Sequence, residues 1–86
     1  MNVRIPSPLR SYTNDAKNVT AHGTTIDDVL VDLDRQFPGL RFRVVDEQGA
    51  LRRHMRIYVN SDMVRDLRTT VDDEDELHIL QALSGG

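Results

Sequence analysis

The chain of 86 residues contains no cysteine and no tryptophan. Without cysteine, disulfides, thiolate metal sites and cysteine nucleophiles are excluded. No apolar run reaches the roughly 18 residues that a membrane-spanning helix needs, so we expect no membrane partner. Residues 1–4 lead into no apolar segment of the kind found in secretory signals, and we therefore expect a cytoplasmic protein.

Lysine and aromatic residues are also scarce. Lys17 is the only lysine, and aromatic residues make up 5% of the chain. Seven of the ten arginines fall within residues 41–68, where Arg52, Arg53 and Arg56 follow Arg41 and Arg43. Because the net charge is −3 and few aromatics are available for base stacking, we expect no nucleic-acid partner. The cluster favours a solvated sheet face or a docking surface for an acidic protein.

The first half of the chain predicts a β-hairpin followed by one helix. Apolar and polar residues alternate at both ends of residues 2–22, and residues 11–15 between them are rich in turn formers. Thr25 followed by Asp28 is a helix N-cap signal, and residues 38–39 (Pro-Gly) predict the helix end. Apolar residues recur along one face of this helix: Ile26, Val29, Leu30, Leu33 and Phe37.

The second half predicts strands separated by polar turns. Residues 55–60 alternate strictly, which indicates a strand with one buried face, and residues 76–82 predict the last strand. Residues 67–71 are interpreted as a short edge strand and residues 44–45 as part of an extended stretch. The order ββ-α-ββ predicts an α+β fold with one main helix on a mixed four- or five-stranded sheet. We expect the first and last strands to be adjacent, as in the β-grasp fold of ubiquitin.

No constellation of residues predicts a catalytic or metal site. His22, His54 and His78 lie in three separate predicted elements and lack metal-ligand spacing. The chain has no phosphate-binding glycine loop and no nucleophile motif, so we expect no enzyme activity. The acidic residues of the helix are interpreted as a mostly solvated face rather than a metal site: Asp27, Asp28, Asp32 and Asp34.

The last two residues are both glycine, which offers no side chain for packing and is costly to order. A tail without Cβ atoms is suited to a narrow channel in another protein. We expect a folded domain over residues 1–81 and a flexible tail over residues 82–86. Extended, this tail spans about 17 Å.

Several motifs together resemble the ubiquitin-like sulfur carriers of the MoaD/ThiS family over nearly the whole chain. Within the family the chain is most similar to the cysteine-biosynthesis-type carriers. Two positions depart from the family pattern, because Glu74 replaces a usual glycine and Gln81 a usual proline. The motifs lie at residues 37–40 (FPGL), 51–53 (LRR), 57–60 (IYVN), 73–77 (DEDEL) and 84–86 (SGG).

The resemblance implies that Gly86 is adenylated by a separate ubiquitin-activating-type adenylyltransferase, which uses ATP. A sulfur donor protein or sulfide then displaces AMP and leaves a thiocarboxylate, which donates sulfur to an acceptor synthase. Gly85 and Ser84 would thread into the partner active site, and the carrier itself would bind no cofactor. The alternatives are a protein modifier attached to lysines, a molybdopterin synthase small subunit, and a plain interaction domain.

An activating enzyme must also contact the folded body, because a short tail offers little area for specificity. We expect an exposed apolar patch on the sheet, near the point where the tail leaves it. Aromatic and arginine side chains commonly provide the binding energy of interfaces. The expected docking residues are Leu83, Tyr58 and Arg56.

Overall fold

The computed structural model describes residues 1–82. It contains five strands, two α-helices and one 3₁₀ helix. The elements in chain order are β1 (Asn2–Arg4), the 3₁₀ helix (Ser7–Thr13), β2 (Asn18–Thr20), α1 (Ile26–Gln36), α2 (Leu40–Val44), β3 (Met55–Val59), β4 (Asp62–Val64) and β5 (Glu76–Gln81).

The strands form one mixed sheet in the order β2-β1-β5-β3-β4. β1 pairs in parallel with β5, with Val3 opposite Leu77, while the other neighbouring strands are antiparallel. The prediction that the first and last strands lie side by side is confirmed, and β5 occupies the centre of the sheet. The predicted mixed sheet of four or five strands with one main helix is therefore confirmed as well, with five strands.

Helix α1 forms as its periodicity predicts. The Thr25 hydroxyl caps the helix by accepting a hydrogen bond from the Asp28 N–H at 3.1 Å. One face of α1 is buried against the sheet. We expect this face to pack on Val3, Ile5, Ile57, Val59 and Ile79, and all of these are almost completely buried except Val59, which is partly buried against the core. The α1 residues of the contact are almost completely buried as well: Ile26, Val29, Leu30 and Leu33.

Two local predictions for the segments before β3 are wrong. We expected an extended stretch at residues 44–45, but Val44 is the last residue of helix α2. The helix forms because residues four apart lie on the same helix face, so both Leu40 and Val44 enter the core. The segment before residue 14 is a 3₁₀ helix over Ser7–Thr13 rather than a simple turn.

Within residues 1–82, no helix is long and apolar enough to cross a membrane.

The edge strand lies earlier than predicted. Asn60 adopts the left-handed conformation with φ of 56°, so the chain reverses at once and β4 pairs with β3 over Asp62–Val64. Residues 67–71 instead contribute a single bridge between Thr70 and Thr25. The edge of the sheet is therefore a tight hairpin.

Candidate functional site

The end of β5 fixes the point at which the chain leaves the sheet. Gln81 lies opposite Met55 in the antiparallel β3–β5 ladder. The next residue, Ala82, donates a backbone hydrogen bond of 2.7 Å to the carbonyl oxygen of His54. This hydrogen bond holds the backbone of residue 82 against the folded domain, beside the start of β3. The predicted site residues Leu83, Ser84, Gly85 and Gly86 lie outside the described residues.

The face of the sheet opposite α1 carries the other two predicted docking residues. Arg56 and Tyr58 alternate on β3 with the buried Met55 and Ile57, so both belong to this open face. Each is partly buried. The structure thus places Arg56 and Tyr58 on one surface next to the end of β5.

Two apolar residues of the open face were missed by sequence reasoning. Leu80 lies opposite Arg56 and is 43% exposed, and Met63 lies opposite Tyr58 and is 54% exposed. Leu80 follows the buried Ile79, so the alternation of β5 already indicates its outward position. Leu80, Tyr58 and Met63 give the open face an exposed apolar surface bordered by the Arg56 guanidinium.

Arg56 is held in place by the backbone. Its Nη1 atom donates hydrogen bonds to the carbonyl oxygens of Arg53 at 2.8 Å and Met55 at 2.9 Å. Nearby, His78 Nε2 lies 3.3 Å from Glu76 Oε1 on β5. The guanidinium of Arg56 is therefore oriented by two neutral carbonyl acceptors and forms none of the described ion pairs.

The acidic turn after residue 71 is a structural element. The Asp75 N–H donates to the Asp72 carbonyl at 3.0 Å, so the turn closes with Glu74 in place of the family's usual glycine. The Asp75 carboxylate accepts hydrogen bonds from the Asp72 N–H at 2.8 Å and from Asn60 Nδ2 at 3.0 Å. The hydrogen bond from the Asp72 N–H has the larger effect and that from Asn60 the smaller, and both lower the pKa of the Asp75 carboxyl.

The acidic residues of α1 are also engaged within the fold. Asp27 pairs with Arg41 at 2.8 Å, and Asp34 accepts hydrogen bonds from the N–H groups of Gly39 and Arg41. Asp32, expected among the mostly solvated acids, is buried and binds the Arg35 side chain. Across residues 1–82, no group of three or more His, Asp or Glu side chains is arranged to hold a metal ion.

The family model for the ThiS family matches residues 3–86. This chain belongs to the ThiS family. It is 39% identical over 89 residues to the sulfur carrier protein CysO of Mycobacterium tuberculosis, across 98% of this chain and 96% of that protein. The CysO of Mycobacterium bovis shows the same identity and coverage.

Solved structures agree with this assignment. The crystal structure of the Amycolatopsis orientalis BexX/CysO complex contains a similar chain with a TM-score of 0.92 and 38% identity, covering 99% of this chain and 98% of that one. The crystal structure of M. tuberculosis CysO gives a TM-score of 0.90 at 38% identity, covering 95% and 98%. The small archaeal modifier protein 1 of Methanosarcina acetivorans gives 0.81 at 28% identity, covering 99% and 94%.

These relationships confirm three predictions. The fold is the ubiquitin-like β-grasp fold. The chain is a sulfur carrier protein of the ThiS family. As such it is a protein substrate that acts with partner proteins rather than an enzyme.

Proposed function

We propose that Gly86 carries the sulfur as a C-terminal thiocarboxylate. The observation that carries this proposal is the Gly85-Gly86 end of a chain that the ThiS family model matches through residue 86. The folded body supports the same role, because the Ala82–His54 hydrogen bond defines where the tail begins. The four residues beyond Ala82 can reach about 14 Å when extended.

The chemistry requires activation, because a carboxylate is a poor electrophile. In the proposed first step a Gly86 carboxylate oxygen attacks the α-phosphorus of ATP, and pyrophosphate leaves. Sulfide then attacks the acyl carbon and AMP leaves, which gives the thiocarboxylate directly. When the donor is a protein persulfide, the same attack gives an acyl disulfide, and a thiol of the donor then cleaves its S–S bond, which releases the thiocarboxylate and leaves a disulfide on the donor. The thiocarboxylate sulfur then forms a bond to the acceptor, and water adds at the acyl carbon and breaks the carbon–sulfur bond, which leaves the sulfur on the acceptor and restores the Gly86 carboxylate.

The partners proposed are an adenylyltransferase of the ubiquitin-activating type and an acceptor synthase. ATP is a substrate of the adenylyltransferase, and the carrier itself holds no cofactor. A complex of CysO with BexX supports a carrier that docks on a second protein. We place the protein in the cytoplasm and assign the sulfur to the synthesis of cysteine or a related thio-metabolite.

The open face of the sheet is the proposed docking surface for the activating enzyme. Tyr58, Leu80 and Met63 offer apolar area, and Arg56 at the border offers an oriented guanidinium. Interfaces draw much of their binding energy from such aromatic and arginine side chains. Leu83, which follows Ala82 directly in the sequence, is proposed as a further contact with the activating enzyme.

A protein modifier is the second candidate, and the similarity to small archaeal modifier protein 1 favours it. In that role the activated Gly86 would be joined to lysine amines of target proteins, with no sulfur product. Conjugates on other proteins of the native cell would support the modifier role. A thiocarboxylate without conjugates would support the carrier.

The proposal is tested by ATP–pyrophosphate exchange with the cognate activating enzyme. Deleting Gly86 moves the reacting carboxylate by about 3.4 Å, one residue of extended chain. A misplacement of only ~1 Å can cost about a hundredfold in rate, so we expect exchange to be almost abolished. Adding one glycine after Gly86 shifts the carboxylate by the same length in the other direction and should have the same effect.

Melting curves provide the control for both length variants. The fold should be unaffected, because chain ends that make no core contacts are tolerant of change. A Gly86-deleted protein that supports exchange at the normal rate would contradict the thiocarboxylate proposal. Loss of exchange together with a lowered melting temperature would show that the terminus stabilises the body, contrary to this account.

A further inference from the structure

A second exposed surface lies next to the start of the tail, and it is distinct from the open face of the sheet. It combines an aromatic ring with basic side chains from α2 and from the residues that precede β3. We refer to it as the Arg–Phe surface. It is lined by Phe42, Arg43, Arg52 and His54, and we include the exposed Arg53, which lies between the last two in the sequence.

The centre of the Arg–Phe surface is preorganised. The Arg52 guanidinium carbon lies 4.6 Å from the centroid of the Phe42 ring, and Arg52 Nε donates a hydrogen bond of 2.8 Å to the Phe42 carbonyl oxygen. Phe42 is nevertheless 54% exposed. A large apolar ring left open beside a fixed guanidinium has the composition of an interface centre.

The charge of this surface is mostly uncompensated. Among residues 1–82, Arg43, Arg52 and Arg53 make no ion pair, whereas Arg41 is paired with Asp27. Asp46 is the nearby carboxylate: its pKa is lowered chiefly by the hydrogen bond from the Ala50 N–H and further by the charge of Arg52. Since no described ion pair neutralises Arg43, Arg52 or Arg53, the surface carries positive charge.

The position of the surface connects it to the tail. His54, one of its members, accepts the hydrogen bond from the Ala82 N–H. Arg53 contributes its carbonyl oxygen to Arg56, which belongs to the open face. A protein that takes the tail into its active site and covers the open face therefore also meets the Arg–Phe surface at the base of the tail.

We propose that the Arg–Phe surface binds an acidic, Asp- and Glu-rich surface of the activating enzyme, beside the entrance through which the tail reaches the active site. This inference rests on the proposed delivery of the tail to that enzyme. Opposite charge around the entrance steers the carrier into productive encounters and suppresses wrong partners. Phe42 supplies apolar area at the centre of the same contact.

Charge reversal at Arg43 and Arg53 tests the proposal with little risk to folding, because both side chains are exposed and neither donates a described hydrogen bond. In ATP–pyrophosphate exchange at about 0.05 M salt, we expect the R43E/R53E variant to raise KM for the carrier at least about tenfold, with kcat retained. Salt at about 0.5 M should raise KM of the unaltered protein and remove most of the difference.

Lys17→Glu is the matched control. Lys17 is exposed beside β2, at the far edge of the sheet, and the substitution alters the charge by the same amount per site. We expect its KM to remain within about twofold of the unaltered protein. An unchanged KM for R43E/R53E, or an equal rise for Lys17→Glu, would overturn the proposal.

A second measurement needs no enzyme. Titration of the isotopically labelled protein with an oligoglutamate peptide at low salt should shift the amide signals of Phe42, Arg43, Arg53 and His54 first. Shifts centred on Arg4 and Arg10, or equal shifts in R43E/R53E, would contradict the proposed surface. If neither the unaltered protein nor its variants support ATP–pyrophosphate exchange, the proposed function is contradicted instead. The titration would then still show whether the Arg–Phe surface binds an acidic peptide.

Discussion

The backbone N–H of Ala82 lies 2.7 Å from the carbonyl oxygen of His54 and donates a hydrogen bond to it. This bond continues the β3–β5 pairing one residue beyond the end of β5. The folded body therefore fixes the backbone through residue 82, where the proposed tail begins. Changes beyond residue 82 should affect activation without affecting stability.

Replacing Tyr58 by alanine should weaken docking of the activating enzyme. Tyr58 lies opposite His78 and Met63 at the centre of the open face, where truncation of an aromatic side chain commonly costs more than about 1 kcal/mol of binding energy. We expect KM for the carrier in ATP–pyrophosphate exchange to rise about tenfold, which corresponds to about 1.4 kcal/mol.

The control for Tyr58→Ala is Val31→Ala. Val31 is also exposed, at 52%, but it lies on α1 on the other side of the sheet. Its removal should leave KM unchanged. Equal KM values for Tyr58→Ala and the unaltered protein would move the docking surface away from the open face.

Replacing Leu30 by alanine should destabilise the fold strongly. Leu30 is buried in the contact between α1 and the sheet, and a buried leucine truncated to alanine typically costs about 2–5 kcal/mol. Urea denaturation should show a lower midpoint, whereas Val31→Ala on the exposed side should stay within about 0.5 kcal/mol. An unchanged midpoint for Leu30→Ala would contradict the assigned packing of α1.

The main helix was predictable because its signals are local. The spacing of Ile26, Val29, Leu30 and Leu33 matches one helix face, and Thr25 supplies the cap. α2 was not predictable in the same way, since five residues give little periodicity and its helical form depends on burying Leu40 and Val44 together. The edge strand was misplaced because the left-handed Asn60, not the residue pattern, decides where the hairpin turns.

Asp32 shows where charge patterning misleads. Aspartates on a helix are usually solvated, but the Asp32 carboxylate accepts hydrogen bonds from the His22 N–H and Gln36 Nε2, both at 3.0 Å, besides its pairing with Arg35. The pKa of Asp32 is lowered most by the pairing with Arg35 and next by the hydrogen bond from the His22 N–H. The ionised carboxylate links α1 to the segment that follows β2, a contact between elements that only the folded chain brings together.

The lowered pKa of Asp32 predicts a pH-dependent contribution to stability. Its ionised form is favoured in the folded protein relative to the unfolded chain, where the pKa is about 3.9. The stabilisation is therefore fully present above that value and is lost as the pH falls through the lower folded pKa. We expect Asp32→Asn to lower the denaturation midpoint near neutral pH, and the difference to shrink below about pH 4.

The difference in denaturation midpoint between Asp32→Asn and the unaltered protein isolates Asp32, because the other acids with lowered pKa values contribute equally to the stability of both proteins. Denaturation midpoints recorded across the acidic range give the measurement. A difference between Asp32→Asn and the unaltered protein that is the same at neutral and at strongly acidic pH would contradict the role assigned to this carboxylate.

The residues of the proposed site can be picked out from the sequence only in part. Residues 84–86 are recognisable in the sequence because glycine pairs at a chain end have few structural uses. Arg56 and Tyr58 follow from the alternation of β3. The Arg–Phe surface depends on α2 lying beside the start of β3, so the contact between Phe42 and Arg52 emerges only from the fold.

Replacing Gly85 by valine should block activation while leaving the fold intact. A β-branched side chain adds bulk next to the reacting residue, where a channel suited to glycine has no room for it. We expect almost complete loss of ATP–pyrophosphate exchange with an unchanged melting temperature. Exchange at the normal rate would show that the partner channel tolerates side chains and that glycine serves another purpose at this position.

Intact-mass analysis of the protein from its native cell tests the central claim most directly. The account predicts a species heavier than the unmodified chain by the difference between one sulfur and one oxygen atom, with the extra mass located on the C-terminal peptide that ends in Gly86. The species should disappear when the activating enzyme is removed. A chain found only unmodified in sulfur-replete cells, or found joined to lysines of other proteins, would contradict it.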